Sequence, residues 1–238
     1  MPFFIKDENR PITDYQLDDM RTAGTIVNTK SLEEQGIYYF DNQYFPPKYL
    51  ENKDIFDVTA KDTNGIDQYE YFETTIEQVI PFSEEKITVT AKGYRFKWTL
   101  VAKSMDIIKP LLFARLAEKK HVVEDAGVKL SDGTVIQSAE ADRNRIAQLM
   151  ISLVYLKIFE PEDTEFKQYM DELEFKITEG TYRAITETEI LYFFKVMAIR
   201  TLACFEREKV ITKLIDTAAN AEAMAAAFFD NIDLAWPL

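Results

Sequence analysis

The side chains that usually carry chemistry are scarce in this sequence. Its 238 residues include one histidine, His121, and one cysteine, Cys204. His121 sits in Lys119-Lys120-His121-Val122, near the expected end of a helix, where a charged imidazole interacts favourably with the C-terminal dipole. As a general base it would need a carboxylate and a nucleophile in reach, and the sequence assigns it neither. A surface or capping role is the simpler reading. Cys204 falls inside an expected long helix, next to its apolar stripe, whereas a reactive thiolate wants a cationic or helix-N-terminal setting, so packing as a small hydrophobe is the simpler reading there. A lone Cys excludes an intrachain disulfide framework and a Cys-built zinc site, and a lone His excludes a multi-His metal centre within one chain.

The carboxylates are numerous but unspecific. Asp62, Asn64, Asp67, Glu70 and Glu73 have the flavour of a calcium loop, yet Gly65 occupies the fourth position where an EF-hand needs glycine at the sixth. A solvated turn and strand edge fits better. Asp18-Asp19, Glu33-Glu34, Glu84-Glu85 and Asp171-Glu172 are pairs of the kind chance supplies in an acidic chain, and glycosidase acids must face one another across a cleft. With seven glycines, most in visible turns, there is no phosphate loop, dinucleotide fingerprint or nucleophile elbow. No catalytic, metal-ligating or cofactor-binding residue is expected, and no cofactor.

Composition bounds the partners. The formal charge is −13, spread evenly over both halves, which argues against a nucleic-acid ligand, since such binding rests on Lys and Arg. No apolar run reaches about 18 residues, so no membrane span is expected. The start lacks the basic-then-apolar pattern of a signal peptide. Aromatic residues make up 13% of the chain and crowd the first hundred positions: Tyr38, Tyr39, Phe40, Tyr44, Phe45, Tyr69, Tyr71, Phe72 and Tyr94, of which Tyr38, Tyr39, Tyr44, Phe45, Tyr69 and Tyr71 are the candidate contact residues. A small sheet has one core face, so some of these must face solvent or a partner, and tyrosine is enriched at interface hot spots. Ordinary half-buried strand aromatics are the competing reading. Near the C-terminus Phe228, Phe229, Leu234 and Trp236 are expected to be buried, on this chain or on a neighbour.

The elements that must position these residues change character near residue 102. Residues 1–102 read as a β-rich N-terminal domain. Strands are expected at Pro2–Ile5, at Ile37–Phe45 (closed by Pro46-Pro47) and at Ile55–Lys61, with a turn at Asp62–Gly65. Ile12–Met20 reads as a short helix capped by Thr13 or Asp14, and Ser31–Gln35 as a helical turn stopped by Gly36. A hairpin is expected with Gly93 in its turn and with Tyr94, Phe96, Trp98 and Leu100 on one face. Residues 103–126 read as a connecting helix, broken or restarted at Pro110. Residues 127–217 read as a helical domain with two hairpins, one turning at Asp132-Gly133 and one at Glu179-Gly180. Ser138 is expected to cap a helix with the stripe Ile146, Leu149, Met150, Leu153 and Val154. Thr186 and Glu189 form a capping box for a long helix with the stripe Ile190, Phe194, Met197, Thr201, Phe205, Ile211 and Ile215. Residues 218–238 read as an apolar tail. The fold class is α+β: a small aromatic-rich β module, then a mainly helical domain with two short β-hairpins.

Several stretches carry a resemblance. Pro11-Ile12-Thr13-Asp14-Tyr15-Gln16-Leu17, then Leu32 to Gly36 and Ile37, together with the Trp-containing segment Tyr94 to Leu100, resemble the N-terminal region of small tailed-phage proteins encoded near tail genes. The loop Gly24-Thr25-Ile26-Val27-Asn28 departs from that pattern, so no contact made by the loop is carried over. Gly127-Val128, Asp132-Gly133-Thr134-Val135-Ile136 and Asp142-Arg143-Asn144-Arg145-Ile146 resemble a C-terminal phage domain of unknown function found in tail-fibre-assembly-like proteins. The closing helix Ala203-Cys204-Phe205-Glu206-Arg207-Glu208 through Ile215-Asp216 is its other hallmark. The resemblance implies a non-enzymatic tail component: a structural or adaptor protein of the tail fibre or baseplate, either a part of the virion or a fibre-assembly chaperone that stays bound. It would be assembled in the host cytoplasm and located in the virion tail, with a fibre or baseplate protein as partner and homo-oligomerisation open. Physically, Arg143, Arg145 and Arg207 suggest ion pairs fixing helices, given the bidentate geometry of arginine. Two other classes stay open: a carboxylate-dependent glycan hydrolase, and a regulator that binds a host protein.

Overall fold

The computed structural model describes residues 2–27, 29–79, 86–159, 164, 168, 174–176 and 181–237. The pairs Glu84-Glu85 and Asp171-Glu172 and the turn Glu179-Gly180 lie outside them. The fold is α+β, in two compact units, Met1–Lys103 and Ser104–Leu238.

Unit 1 is built on a five-stranded sheet. Its strands are β1 (Phe3–Ile5), β2 (Arg10–Ile12), β3 (Ile37–Asp41), β5 (Tyr69–Val79) and β6 (Lys86–Phe96), in the order β2-β1-β3-β6-β5. A second, two-stranded sheet pairs β4 (Phe56–Thr59) with β7 (Thr99–Ala102). Helix α1 (Asp14–Thr22) begins at a full capping box: Thr13 Oγ1 accepts from the Gln16 N–H at 3.3 Å, and Gln16 Oε1 accepts from the Thr13 N–H at 2.9 Å. It lays Leu17 over Ile5, Ile12 and Ile37, so one sheet face is sealed by aliphatic side chains. Pro11 sits in β2 at the edge of the sheet, where a missing N–H costs no ladder bond. β3 stops at Asp41 rather than Phe45, because Asp41 Oδ1 accepts from the Gln43 and Tyr44 N–H groups, both at 3.1 Å, and turns the chain. Pro47 then opens α2 (Pro47–Glu51) instead of closing a strand.

Gly93 is not a turn residue. It lies inside the 11-residue strand β6, which pairs antiparallel with β5 from Tyr69↔Phe96 to Val79↔Lys86. A Cβ there would stand 2.5 Å from the Tyr39 carbonyl oxygen and 3.2 Å from the Phe72 ring. The glycine permits close approach of β3, with which β6 runs parallel at Tyr39↔Gly93. Trp98 and Leu100 accordingly leave the expected face: β6 ends at Phe96, and Leu100 belongs to β7.

Unit 2 contains α3 (Met105–Glu124), α4 (Glu140–Phe159), α5 (Glu187–Asp216) and α6 (Ala221–Phe229). Two short hairpins pair β8 (Val128–Lys129) with β9 (Val135–Ile136), and β10 (Glu174–Lys176) with β11 (Tyr182–Ala184). Helix α3 runs unbroken through Pro110 and packs on α5 and α6, so the segment expected as a connector is part of this unit. α5 begins at the expected capping box, Thr186 with Glu189. The core joins Ile146, Met150 and Leu153 of α4 to Ile190, Phe193 and Met197 of α5 and to the hairpin residues Val128, Ile136 and Phe175. Val154 lies outside it, exposed. The buried stripe of α5 runs through Phe193, Arg200 and Cys204, not through Phe194, Thr201 and Phe205. Stripes one residue apart are equally periodic on a helix apolar on both flanks, and a buried arginine disguised the true one.

A polar clamp holds the end of α3. Ser138 does not cap α4. Its buried hydroxyl donates to the Glu124 carbonyl at 3.0 Å and accepts from the Gly127 N–H at 2.8 Å. Buried Arg200 donates from Nη1 to the Gly127 carbonyl at 2.7 Å. Gly127 has φ +81°, and a Cβ would meet Val135 Cγ1 at 2.7 Å, so only glycine fits. Arg183 ties three elements together, reaching Asp132 at 2.9 Å and Glu189 at 2.7 Å. The carboxyl of Glu189 is lowered chiefly by that arginine, and that of Asp132 chiefly by the Thr134 backbone N–H.

Candidate functional site

The pleat of unit 1 collects aromatic rings on one face. Cross-strand pairs Phe4↔Tyr38, Phe40↔Tyr94, Tyr71↔Tyr94 and Tyr69↔Phe96 put all these residues on the side opposite α1. Phe4 stacks on Tyr94 with centroids 4.3 Å apart and planes at 14°. Tyr69 meets Phe4 edge-on at 4.9 Å, and Phe40 meets Phe96 edge-on at 5.2 Å. Phe4 and Phe40 are buried, while Tyr38, Tyr69 and Tyr94 are half-buried. The cluster opens at one end, where Tyr38 and Tyr71 stand edge to face at 5.9 Å and Tyr71 is 44% exposed.

That rim carries its own hydrogen bond. The Tyr71 hydroxyl donates to Glu73 Oε1 at 2.7 Å. The bond stabilises the neutral phenol, so the Tyr71 pKa is pushed up to about 12, with burial and the carboxylate charge adding to the effect. Lys92 sits 3.7 Å from the same carboxylate. Glu70, one residue from Tyr71 and on the opposite face of β5, accepts from Arg95 Nε at 2.6 Å. The rim thus offers rings, phenol groups and a carboxylate held by Tyr71 and Lys92.

Of the expected contact residues, the sheet brings together Tyr38, Tyr69 and Tyr71. Tyr39 points to the opposite face beside Gly93. Tyr44 and Phe45 occupy the loop after β3. The Arg95 guanidinium lies 3.7 Å over the Tyr44 ring, and Phe45 stacks on Trp98 at 5.1 Å, whose indole N–H donates to the Tyr44 carbonyl at 2.6 Å. These two hold the loop down. Phe228 is buried in unit 2 with Phe229 edge-on at 5.3 Å, and Trp236 is half-buried and donates to the Ile232 carbonyl. Leu234, expected to be buried, is 58% exposed in the turn after α6.

Sequence reading placed Phe40 and Tyr94 in the aromatic crowd without naming them as contact residues, and left Phe4 and Phe96 outside it. The signal was present, since 38/40, 69/71 and 94/96 each step by two. What the sequence lacked was the register that lays these steps side by side.

The remaining candidates are accounted for locally. His121 is exposed in the last turn of α3. Cys204 is buried, and burial pushes its thiol pKa up. Asp62 caps its own turn, accepting from the Asn64 and Ile66 N–H groups at 2.8 and 3.0 Å. Asp18 and Asp19 lie on exposed α1, and Glu33-Glu34 in a 3-10 turn ended by Gly36 at φ +77°. No cluster of three or more His, Cys, Asp or Glu among the described residues can hold a metal ion, and no helix there is long and apolar enough to cross a membrane.

Of the arginine hallmarks, Arg143 makes an ion pair between helices, but it ties α4 to the end of α3 rather than to α5. It pairs with Asp125 and reaches Glu124 at 3.8 Å. Arg145 lies 5.1 Å over the Phe175 ring, and Arg207 donates to the Asn231 carbonyl at 2.6 Å.

Comparison with known proteins bears on unit 2. No curated protein and no solved structure matches the chain. One family model does, from Ile108 in α3 to Asp230 just past α6, a span that takes in the hairpins, the clamp and the long helix of unit 2. Covering more than half of the residues, that match shows that the chain belongs to the family described as Domain of unknown function (DUF4376).

Proposed function

We propose that the protein is a non-enzymatic structural or adaptor component of a bacteriophage tail, associated with the tail fibre or baseplate, which assists fibre assembly and stays bound in the virion. The observation that carries the contact part of this reading is the aromatic face of unit 1. Its rings are fixed by stacking, so presenting the rim of Tyr38 and Tyr71 to a partner costs little further ordering. Tyrosine is the residue type that dominates such contacts. The phage context is supported by the resemblance of the two sequence stretches to tail-gene proteins. Glu70 and Glu73 project to opposite faces of β5 and are engaged by Arg95 and Tyr71, which favours a contact surface over a hydrolytic pair.

The test is made on virions. The tagged protein is supplied to a phage lacking the gene, particles are purified, and its copy number beside the fibre is counted. The reading expects co-purification with particles, and its loss with Tyr71→Ala while the variant keeps the sheet signature in circular dichroism. Normal fibred particles without the protein would overturn it, as would hydrolysis of a host glycan abolished by Glu→Gln substitution.

A further inference from the structure

Helices α4 and α5 each bury one side in the core of unit 2 and carry a second apolar row outside it. On α4, Ile151, Val154, Tyr155, Ile158 and Phe159 line an open groove with Phe194 of α5. Leu191, Ile199 and Leu202 continue the apolar surface along α5. Exposure of these side chains runs from 41% at Phe194 to 71% at Ile151. A large side chain offers roughly 150–200 Å², so the exposed share is on the order of 800 Å². Monomers commonly leave apolar patches of about 300–600 Å², whereas a stable interface takes about 800 Å² from each partner.

Charges on the same face select the occupant. Lys195 and Glu206 are exposed, stand about three helical turns apart, and therefore lie on one side of α5. Neither makes an ion pair with another described residue. Ile199 and Leu202 lie between them, symmetric about the point midway between positions 200 and 201. We propose that this face binds a second copy of the chain, with the two α5 helices antiparallel about a twofold axis at that point. Lys195 then meets the partner's Glu206, and Ile199 the partner's Leu202, each contact occurring twice. A parallel pairing in register would set lysine against lysine. The contact is isologous, so it closes at two copies and does not propagate into a filament.

Sedimentation velocity of the full chain over a concentration series is the test. A dimer of the 27.6 kDa chain is expected. Leu202→Asp is expected to give a monomer with unchanged helical circular dichroism. Lys195→Glu alone weakens the dimer by about tenfold, and adding Glu206→Lys restores it, because the pair is reversed rather than removed. A monomer at every concentration, a trimer or larger assembly, or a dimer indifferent to Lys195→Glu would overturn the proposal.

Discussion

Phe4 and Phe193 are among the largest fully buried side chains in the molecule, and their surroundings differ in kind. Phe4 lies in the middle of a sheet with Phe40, Tyr69 and Tyr94 against its ring, and the cluster thins towards the hydroxyls of Tyr38 and Tyr71. Phe193 lies on a 30-residue helix among aliphatic neighbours, close to a buried arginine on the same helix. A strand has two sides, and α1 seals one of them in unit 1, so surplus apolar surface can appear only at the end of the other. A helix has a whole circumference, and α5 is apolar around most of it, so the surplus in unit 2 appears along its outer side. The two units thus expose different surfaces: a small rim of tyrosines on a sheet, and a long ridge of mixed aliphatic and aromatic side chains flanked by charges.

The largest effects should come from the two buried rings. Phe4→Ala and Phe193→Ala are each expected to destabilise their own unit by about 3–5 kcal/mol. Hydrogen exchange should show faster amides in β1, β3 and β6 for the first, and in α4 and α5 for the second. Equal effects at both places from either substitution would break the comparison. Next come the glycine of unit 1 that admits no side chain and the serine of the clamp in unit 2. Gly93→Ala drives a Cβ into the Tyr39 carbonyl and should cost about 1–3 kcal/mol in unit 1, read as a lowered denaturation midpoint. Ser138→Ala leaves the Glu124 carbonyl and Gly127 N–H without their shared hydroxyl and should cost about 1–3 kcal/mol in unit 2. The capping boxes sharpen the comparison from the other side, because they are the same device in both units. Thr13→Ala and Thr186→Ala should each cost about 1 kcal/mol, whatever the surrounding chemistry.

The smallest effect is a titration. Glu73→Gln weakens the hold on the Tyr71 phenol and should bring its pKa from about 12 back towards 10.0, followed by ultraviolet absorbance. The sign for stability follows from a raised folded-state pKa. The contribution of the Tyr71–Glu73 bond is complete below the unfolded phenol pKa and is lost as pH rises through the folded value, so it fades between 10.0 and about 12.

Local chemistry was the legible part of the sequence. Thr13 as one of two candidate helix caps, Thr186 with Glu189, the Asp132-Gly133 hairpin and the Asp62 turn can each be read because all their atoms lie within a few residues. Gly93 was misplaced because its reason, the Tyr39 carbonyl, belongs to a strand far away in sequence. Ser138 looked like a cap for the same reason: it stands just ahead of a helix, and the groups it serves are on α3 and at Gly127. Arg200 was invisible as a core residue, since a lone arginine in an apolar stripe reads as the solvent side until the carbonyl it satisfies is known. The aromatic cluster sat between these cases, with its pairs of alternate residues plain and their register not.

The Arg200–Gly127 hydrogen bond spans 73 positions of chain. At synthesis rates of about 5–20 residues per second, the Gly127 carbonyl would leave the ribosome roughly 4–15 s before the guanidinium that satisfies it. During that interval Ser138 can already close the short loop to Glu124, while the orphaned carbonyl waits. Unit 2 therefore has a built-in order of events: the β8–β9 hairpin is tied to the end of α3 first, and the latch from α5 closes only when that helix has folded back. Nascent chains halted before position 200 would lack the latch and keep the inner faces of α3 and α4 accessible to whatever is nearby.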